Sequence, residues 1–466
     1  MSSWKRTLLC LSVGALLAAC GGDKTPDPTP EPEPQPQPGP EPLKPTLFVG
    51  AEGSLISYDL ETGQQRPGRV PEVSSPTDLQ VLEDGTVLVN LTVRNEVLVV
   101  DGRTLEERAR IPSKGERPNH SYVSPPRNGK RYWMTLNDGL SSQPESSTAL
   151  FVDATPGSPT YLQAVGSVRL GRGHHKASFS NTRERVVISN LSDCDDVLSV
   201  YDYSDVKNVQ KVLSLSAGVL GMACSLTAPL TPHGCATSKV SGRAYCNLTG
   251  PGVIASVDLD APTPTARLIY TGGKGGGHTV ASADGRFIYT VQELPREGNA
   301  THTGAPCQVG QLVMVDTSSD NLAGQVPLLY RGPSCNSPLA GTDEAKATAS
   351  HLLLSRDGKT LYITASGAFD DAASRVRQQL VLDLSQPFSP AQKPSISVGN
   401  SLGSHAVALS SEGRYLFVAN TVDNSLSQID TTTNTVVSTI NLPTNARTMS
   451  LYSSADGPSE HVGSIR

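Results

Sequence analysis

Residues 404–440 read SHAVALSSEGRYLFVANTVDNSLSQIDTTTNTVVSTI, and this stretch decides the fold. It contains four short segments that alternate apolar and polar residues and are rich in β-branched side chains, as half-buried β-strands are. The pair Glu412-Gly413, between the first two segments, is typical of a tight hairpin turn. The stretch therefore predicts a unit of four antiparallel strands.

The same unit recurs along the whole chain. The hairpin turn is repeated at Asp84-Gly85, Asn128-Gly129, Ser241-Gly242, Asp284-Gly285, Asp357-Gly358 and Asp456-Gly457, and near Thr182-Arg183 without its glycine. The third segment of each copy ends on an aspartate, at Asp59, Asp101, Asp153, Asp202, Asp258, Asp316, Asp383 and Asp430. Repeats that bury their faces only against neighbouring repeats form one domain despite a length of 466 residues.

Residues 404–443 resemble the YVTN-type β-propeller repeat, with Phe417-Val418-Ala419-Asn420 in the place of the tetrapeptide that gives that family its name. The resemblance implies an all-β fold, a single β-propeller of four-stranded antiparallel blades. The eight aspartates and eight turns predict eight blades; seven is the alternative if the short first repeat is only an added strand.

The two ends of the repeat region are incomplete in complementary ways. The region begins at a second strand, residues 47–50, and ends with a first strand near residues 447–452. We therefore expect the N-terminal and C-terminal strands to share one blade, which closes the ring without a free edge.

The start of the chain predicts export and lipid anchoring. Lys5 and Arg6 precede an apolar run that is too short to span a bilayer and ends at Leu17-Ala18-Ala19-Cys20. This pattern resembles the lipobox of bacterial lipoproteins, which implies a signal peptide at residues 1–19 and a lipid on Cys20. The residue after the cysteine is Gly21, and by lipoprotein resemblance this favours the outer membrane, with the protein periplasmic or surface-exposed.

Residues 20–45 are rich in Pro and Glu and are expected to form an extended spacer ahead of a propeller at residues 46–466. The net charge is −6 and no basic run follows the signal, so a nucleic-acid partner is not expected. We expect a monomer whose protein or small-molecule ligand the sequence does not identify.

Seven of the nine histidines fall at one position of the repeat, at or just before the first strand. They are His120, His174, His175, His233, His278, His351 and His405, and Asp78 occupies this position in the second blade. First strands line a propeller's central channel, so these side chains are expected at one mouth, near Arg117, Arg172 and Lys274. One interpretation is a structural role copied with the repeat; the other is a site for Cu, Fe or Zn, or for haem.

Six cysteines, Cys194, Cys224, Cys235, Cys246, Cys307 and Cys335, remain after the signal and the lipidated residue, and an even number in an oxidising compartment indicates disulfides. The repeat register pairs Cys194 with Cys224, Cys307 with Cys335, and Cys235 with Cys246. Thiolate metal ligation is disfavoured because the sequence has no Cys-x-x-Cys spacing.

Calcium is a further candidate ligand. Asp193, Asp195 and Asp196 lie in one loop, and Asp370 and Asp371 lie in another. Neither loop follows the EF-hand pattern, so exposed polar loops are the preferred interpretation.

Three functional hypotheses follow. The leading one is a binding or interaction module of the cell envelope, because the sequence lacks Gly-x-Ser-x-Gly, His-Glu-x-x-His and dinucleotide-binding motifs. The first alternative is a metal- or haem-dependent oxidoreductase, or a metal-binding protein, built on the histidines. The second is a lactonase-like hydrolase, which rests on propeller kinship and needs an acidic metal site near Asp78. The motifs do not decide whether the chain is an enzyme.

Overall fold

The repeats form a ring of eight antiparallel sheets in the computed structural model. The structure describes residues 43–140, 142–173, 175–225, 228, 230–248, 250, 252–273, 277–292, 307–330, 348–366, 376–401, 407–410, 412–420, 423–444, 446–453 and 457–458. The predicted all-β, eight-bladed propeller is confirmed. Within these residues the helical segments are two three-residue 3-10 turns, Pro144–Ser146 and Val206–Asn208. No helix there has the length and apolarity that a membrane crossing requires.

The blades are numbered here in ring order, each from its innermost strand outward. Blade 1 combines β1 (Thr46–Ala51), β2 (Ser54–Asp59) and β3 (Val70–Pro71) with the C-terminal β32 (Ala446–Ser453) and β33 (Gly457–Pro458). Blade 2 consists of β4 (Pro76–Val81), β5 (Thr86–Leu91), β6 (Glu96–Asp101) and β7 (Glu107–Pro112). Blade 3 consists of β8 (Pro118–Val123), β9 (Tyr132–Asn137), β10 (Thr148–Asp153) and β11 (Ala164–Arg169). Blade 4 consists of β12 (His175–Phe179), β13 (Arg185–Asn190), β14 (Leu198–Asp202) and β15 (Gln210–Leu215).

The remaining four blades repeat the same order. Blade 5 consists of β16 (Pro232–Thr237), β17 (Arg243–Leu248), β18 (Val253–Asp258) and β19 (Thr265–Tyr270). Blade 6 consists of β20 (Thr279–Ala281), β21 (Phe287–Gln292), β22 (Cys307–Asp316) and β23 (Asn321–Tyr330). Blade 7 consists of β24 (Thr348–Leu354), β25 (Thr360–Ser366), β26 (Val376–Asp383) and β27 (Ala391–Ser401). Blade 8 consists of β28 (Val407–Leu409), β29 (Tyr415–Asn420), β30 (Ser425–Asp430) and β31 (Thr435–Asn441).

The ring closes as the sequence predicted. Strand β1 pairs antiparallel with β32, so that Val49 lies opposite Met449 and Thr46 opposite Tyr452. The innermost strand of blade 1 therefore comes from the C-terminal end of the repeats and its other strands come from the N-terminal end. This pairing leaves no open blade in the ring.

The apolar core is divided among the eight junctions between blades. Each of the eight buried clusters combines side chains from two adjacent blades. On β29, Leu416 and Val418 pack toward blade 7, whereas Phe417 and Ala419 pack toward blade 1. Both faces of the middle strands are thus buried, which explains why these strands are apolar almost throughout.

The repeated aspartates stabilise the turn that follows each third strand. In all eight blades a side-chain oxygen of this aspartate accepts a hydrogen bond from the backbone N–H two residues later, at 2.8–3.2 Å. An Asx turn of this kind is a local property of the residue, which is why the aspartate recurs in register. The hydrogen bonds lower the pKa of Asp316 and Asp383 below the usual range.

Two of the three predicted disulfides are confirmed. Cys194 and Cys224 are bonded with their Cα atoms 5.7 Å apart. Cys235 and Cys246 are bonded across the hairpin of β16 and β17, with Cα atoms 4.1 Å apart. Cys307 begins β22, but Cys335 lies outside the described residues, so its pairing stays a prediction.

Replacing a bonded pair by alanine should destabilise the protein according to the length of the loop that the bond closes. The separations are 30 residues for Cys194–Cys224 and 11 residues for Cys235–Cys246. Loop-closure entropy then gives losses of about 4 and about 3 kcal/mol in the free energy of unfolding. Urea unfolding of the two double variants measures both. A larger loss for the short-loop pair would contradict this explanation.

Candidate functional site in the central channel

The first strand of each blade lies at the centre of the ring. In blades 2 to 8 it is the terminal strand of its sheet, and in blade 1 only the two-residue β33 pairs beyond β32. In every blade it contacts the first strands of the blades on either side. The starts of these strands therefore lie around the central channel. This position is the one at which the sequence places its histidines and Asp78.

The structure describes the side chains of four of the seven predicted site histidines. They are His120 on β8, His233 on β16, His278 immediately before β20, and His351 on β24. His175 begins β12, but only its backbone is described. His174 and His405 lie outside the described residues, as does Lys274.

Four of the first strands carry a β-bulge close to these site residues. The register shifts fall between Pro76 and Leu79, between Pro118 and His120, between Pro232 and Cys235, and between Ala349 and Leu352. Asp78, His233 and His351 lie within these irregularities and His120 lies at the edge of one. A bulge interrupts the alternation of a strand and re-aims a side chain, and bulges are common beside functional sites.

Three of the histidines form a continuous row across blades 5, 6 and 7. The ring centroids of His278 and His351 are 3.6 Å apart, with an angle of 39° between the planes. The ring of His233 meets that of His278 nearly edge-on, with centroids 5.5 Å apart. We call these three residues the histidine row. His120 lies elsewhere in the channel, in contact with a lysine.

That lysine belongs to a buried polar cluster on blades 2, 3 and 4, consisting of Asp78, His120, Ser121, Tyr122 and Lys176. One carboxylate oxygen of Asp78 accepts hydrogen bonds from the backbone N–H of Ser121 at 2.7 Å and from its hydroxyl at 3.0 Å. The other accepts from the backbone N–H of Leu79 at 2.8 Å. Lys176 Nζ lies 3.4 Å from His120 Nε2. We call these five residues the polar cluster.

Burial shifts the pKa values of three groups in this cluster, and those of Asp78 and Lys176 move toward neutral pH. Desolvation raises the pKa of Asp78 to about 7, against the opposing hydrogen bonds from Ser121 and Leu79. Desolvation also lowers the pKa of Lys176 to about 8, although the charges of Asp78 and Asp138 act to raise it. The pKa of Tyr122 is raised, first by burial and then by the charge of Asp78. Perturbed groups that lie together at a cavity are candidates for a functional site.

A cavity of about 160 Å³ lies between the polar cluster and the histidine row. Its polar lining includes Tyr122, Lys176 and His278, and its apolar lining includes Val280 and Leu353. We call it the channel cavity. A second cavity of about 460 Å³ is lined by residues nearer the other ends of the first strands, among them Arg356 and Lys239.

The contacts of the described His, Cys, Asp and Glu residues provide evidence on the metal and calcium hypotheses. Among the residues described, no group of three or more His, Cys, Asp or Glu side chains is arranged to hold a metal ion. In the first acidic loop, Asp193 accepts hydrogen bonds from the backbone of Arg172, Asp195 and Asp196 at 3.0–3.2 Å. These hydrogen bonds indicate a structural role for Asp193 in the acidic loop. Asp370 and Asp371 lie outside the described residues.

Sequence reasoning missed Tyr122 and Lys176. Both lie in first strands, Tyr122 two residues beyond His120 and Lys176 one residue beyond His175. The available signal was the lysine itself, because a cation on an inner strand has little access to water and seldom lacks a partner there.

Comparison with known proteins supports the fold alone. No family model and no curated protein matches the chain. The structure of apo AztD from Citrobacter koseri is 14% identical over 86% of this chain and 96% of that chain, with a TM-score of 0.54. The Pseudomonas aeruginosa periplasmic gluconolactonase PpgL is 16% identical over 91% of this chain and 99% of that chain, with a TM-score of 0.51. The chain is thus an eight-bladed β-propeller with a candidate site built from the first strands of its blades.

Proposed function

We propose that this protein is a cell-envelope binding protein that holds a small organic ligand in the channel cavity. The observation that supports the proposal is the position of this cavity, which has Lys176 and Tyr122 on one side and His278 on the other. The lipobox-like Leu17-Ala18-Ala19-Cys20 and the spacer that follows are the basis for placing it in the envelope.

The lining of the channel cavity selects the chemistry of the ligand. Lys176 supplies an ammonium group, Tyr122 a phenol and His278 an imidazole, while Val280 and Leu353 supply apolar surface. Ammonium and phenol groups donate hydrogen bonds to carboxylate or carbonyl oxygens. A cavity of about 150 Å³ takes a benzene-sized molecule, so a volume of about 160 Å³ suits a small carboxylic or oxo acid.

A transition metal ion is the second candidate ligand, because the histidine row brings three imidazoles together. In the arrangement described, His278 and His351 present their ring faces to each other, with centroids 3.6 Å apart. Ligation requires the ring nitrogens to point at a common ion. Among the described residues no three such side chains are placed to hold a metal ion, so metal binding by the row would require a side-chain rearrangement.

The lactonase-like alternative has less support in the described channel. It needs a hydrated acidic metal site, whereas Asp78 is 1% exposed and its carboxylate is held by the backbone of Ser121 and Leu79. The likeness to a gluconolactonase at 16% identity shows the fold alone.

Calorimetric titration of the purified protein with pyruvate, and separately with Zn²⁺, tests the proposal. Pyruvate carries both a carboxylate and a carbonyl, and it should bind in the channel cavity. Loss of a charge-assisted hydrogen bond costs about 1.5–3 kcal/mol, so Lys176→Met should weaken pyruvate binding at least tenfold. His278→Ala should also weaken it, by removing a wall of the cavity.

Lys211→Met is the matched control, because Lys211 pairs with Asp196 at 2.7 Å on another strand of blade 4 and does not line the channel cavity. It should bind pyruvate as the wild type does. If pyruvate does not bind, and Zn²⁺ binds in a manner that His351→Ala abolishes and Lys176→Met leaves unchanged, the metal candidate replaces the leading one.

A further inference from the structure

The side chain of Lys176 differs from the other lysines of the described blades in its surroundings. It is 7% exposed and lines the channel cavity, and its amine lies 3.4 Å from His120 Nε2. By contrast, Lys211 and Lys393 form ion pairs with their side chains 39% and 51% exposed. A binding role alone uses the charge of Lys176, but a residue that lines the cavity also lies beside any ligand that the cavity holds.

We propose that Lys176 acts as a nucleophile and forms an imine with the carbonyl carbon of an aldehyde or α-oxo acid in the channel cavity. The inference rests on the proposed function, since it requires that the cavity admit such a molecule. It extends that function from reversible binding to covalent capture of carbonyl compounds.

The step balances without an oxidant or reductant. The nitrogen lone pair of the neutral amine attacks the carbonyl carbon, the C–O π electrons move to oxygen, and one N–H proton is transferred to that oxygen to give a carbinolamine. The second N–H proton is then transferred to the same oxygen, which leaves as water while the C=N bond forms, so one amine and one carbonyl give one imine and one water. Hydrolysis reverses the reaction and releases the ligand.

Residues beside Lys176 can accept a proton from its ammonium group and donate a hydrogen bond to the carbonyl oxygen. In the tautomer that carries its proton on Nδ1, His120 presents Nε2, 3.4 Å from the amine of Lys176, to accept a proton from the ammonium. Tyr122 lines the same cavity and can donate a hydrogen bond to the carbonyl oxygen. Asp78 and Asp138 are the carboxylates whose charges act on the amine.

The protonation state of Lys176 favours nucleophilic attack at neutral pH. Burial lowers its pKa to about 8, so the neutral amine is far more populated at pH 7.5 than in an ordinary lysine. An ordinary lysine is neutral in about one molecule in a thousand at that pH. Lysines activated in this way by desolvation are the ones that form Schiff bases in enzymes.

Reductive trapping tests the inference. The full-length protein is incubated with pyruvate and sodium cyanoborohydride at pH 7.5, and the labelled lysine is located by peptide mass spectrometry. We expect one reduced pyruvate adduct per chain, at Lys176, forming at least tenfold faster than any adduct at Lys211. Lys176→Met and Lys176→Arg should lose it, while Lys211→Met should retain it.

The remaining outcomes separate the two proposals. If calorimetry shows pyruvate bound in the channel but no adduct forms at Lys176, or adducts spread evenly over exposed lysines, the imine inference is wrong and the binding function stands. If pyruvate neither binds nor labels, both fail. The double variant Asp78→Asn/Lys176→Met removes both buried charges together and provides a folded, unlabelled reference if Lys176→Met alone does not fold.

Discussion

Truncating the chain after Leu442 should abolish the cooperatively folded propeller. The deletion removes β32 and β33, and with them the innermost strand of blade 1. Met449 is fully buried in the cluster between blades 8 and 1, and Tyr452 belongs to the cluster between blades 1 and 2. The deletion therefore opens two junctions at once and leaves β1 as an unpaired edge.

The expected loss is comparable to the whole stability of a typical domain, which is about 5–15 kcal/mol. Soluble yield and thermal unfolding followed by circular dichroism measure it. Truncation after Pro458 is the control, because it removes residues 459–466 and retains both β32 and β33. If the chain truncated after Leu442 had the yield and the unfolding midpoint of the wild type, closure of the ring by β32 would be contradicted.

Asp78→Ala should destabilise the protein by about 3 kcal/mol at pH 7. The carboxylate of Asp78 joins β4 of blade 2 to β8 of blade 3 through the backbone and hydroxyl of Ser121, and it also accepts the N–H of Leu79. Removing it leaves buried backbone donors without this acceptor, at a cost of about 1–3 kcal/mol each. It also removes a negative charge that acts on buried Lys176.

Asp78→Asn should cost less, because the amide oxygen can still accept hydrogen bonds. Asp357→Ala is the matched control, since its carboxylate accepts hydrogen bonds from Ser355 and Lys359 in an exposed turn. We expect this control to cost less than about 1.5 kcal/mol. Urea unfolding of the three variants gives these free energies. Equal losses for Asp78→Ala and Asp357→Ala would show that the polar cluster contributes no more than a surface turn.

The sign of the pH dependence provides a second test of the polar cluster. The pKa of Asp78 is raised to about 7 in the folded protein, so the folded state retains a proton that the unfolded chain releases near pH 4. The stability that this proton contributes is present at low pH and is lost as the pH rises toward 7. Asp78→Asn lacks the effect, so its cost relative to the wild type should shrink between pH 4 and pH 7. A cost that grows over this interval would contradict the raised pKa.

The architecture was predictable because its signals are local and repeated. The aspartate that ends each third strand is needed for the turn beside it, and hairpin glycines such as Gly85 and Gly285 have φ angles of 83° and 74°, which favour glycine. The repeat register also placed Cys194 near Cys224, because the loops that carry them meet on one face of the ring.

The candidate site was only partly predictable, for a physical reason. The sequence located the repeat position of the site, and His233, His278 and His351 do meet there. The bulges in β4, β8, β16 and β24 interrupt the regular alternation of side chains along these strands, and the sequence pattern does not indicate where a bulge lies. For this reason the position of His120 in the repeat does not distinguish it from the histidine row, and it does not predict the contact with Lys176.

The crystal structure of the protein in complex with pyruvate tests whether the channel cavity is the binding site. We expect difference density in this cavity between Lys176 and His278, with pyruvate within hydrogen-bond distance of Lys176 Nζ or bonded to it through its carbonyl carbon. Density that is absent from this cavity at saturating pyruvate, or confined to the cavity beside Arg356 or to the outer surface, would contradict it.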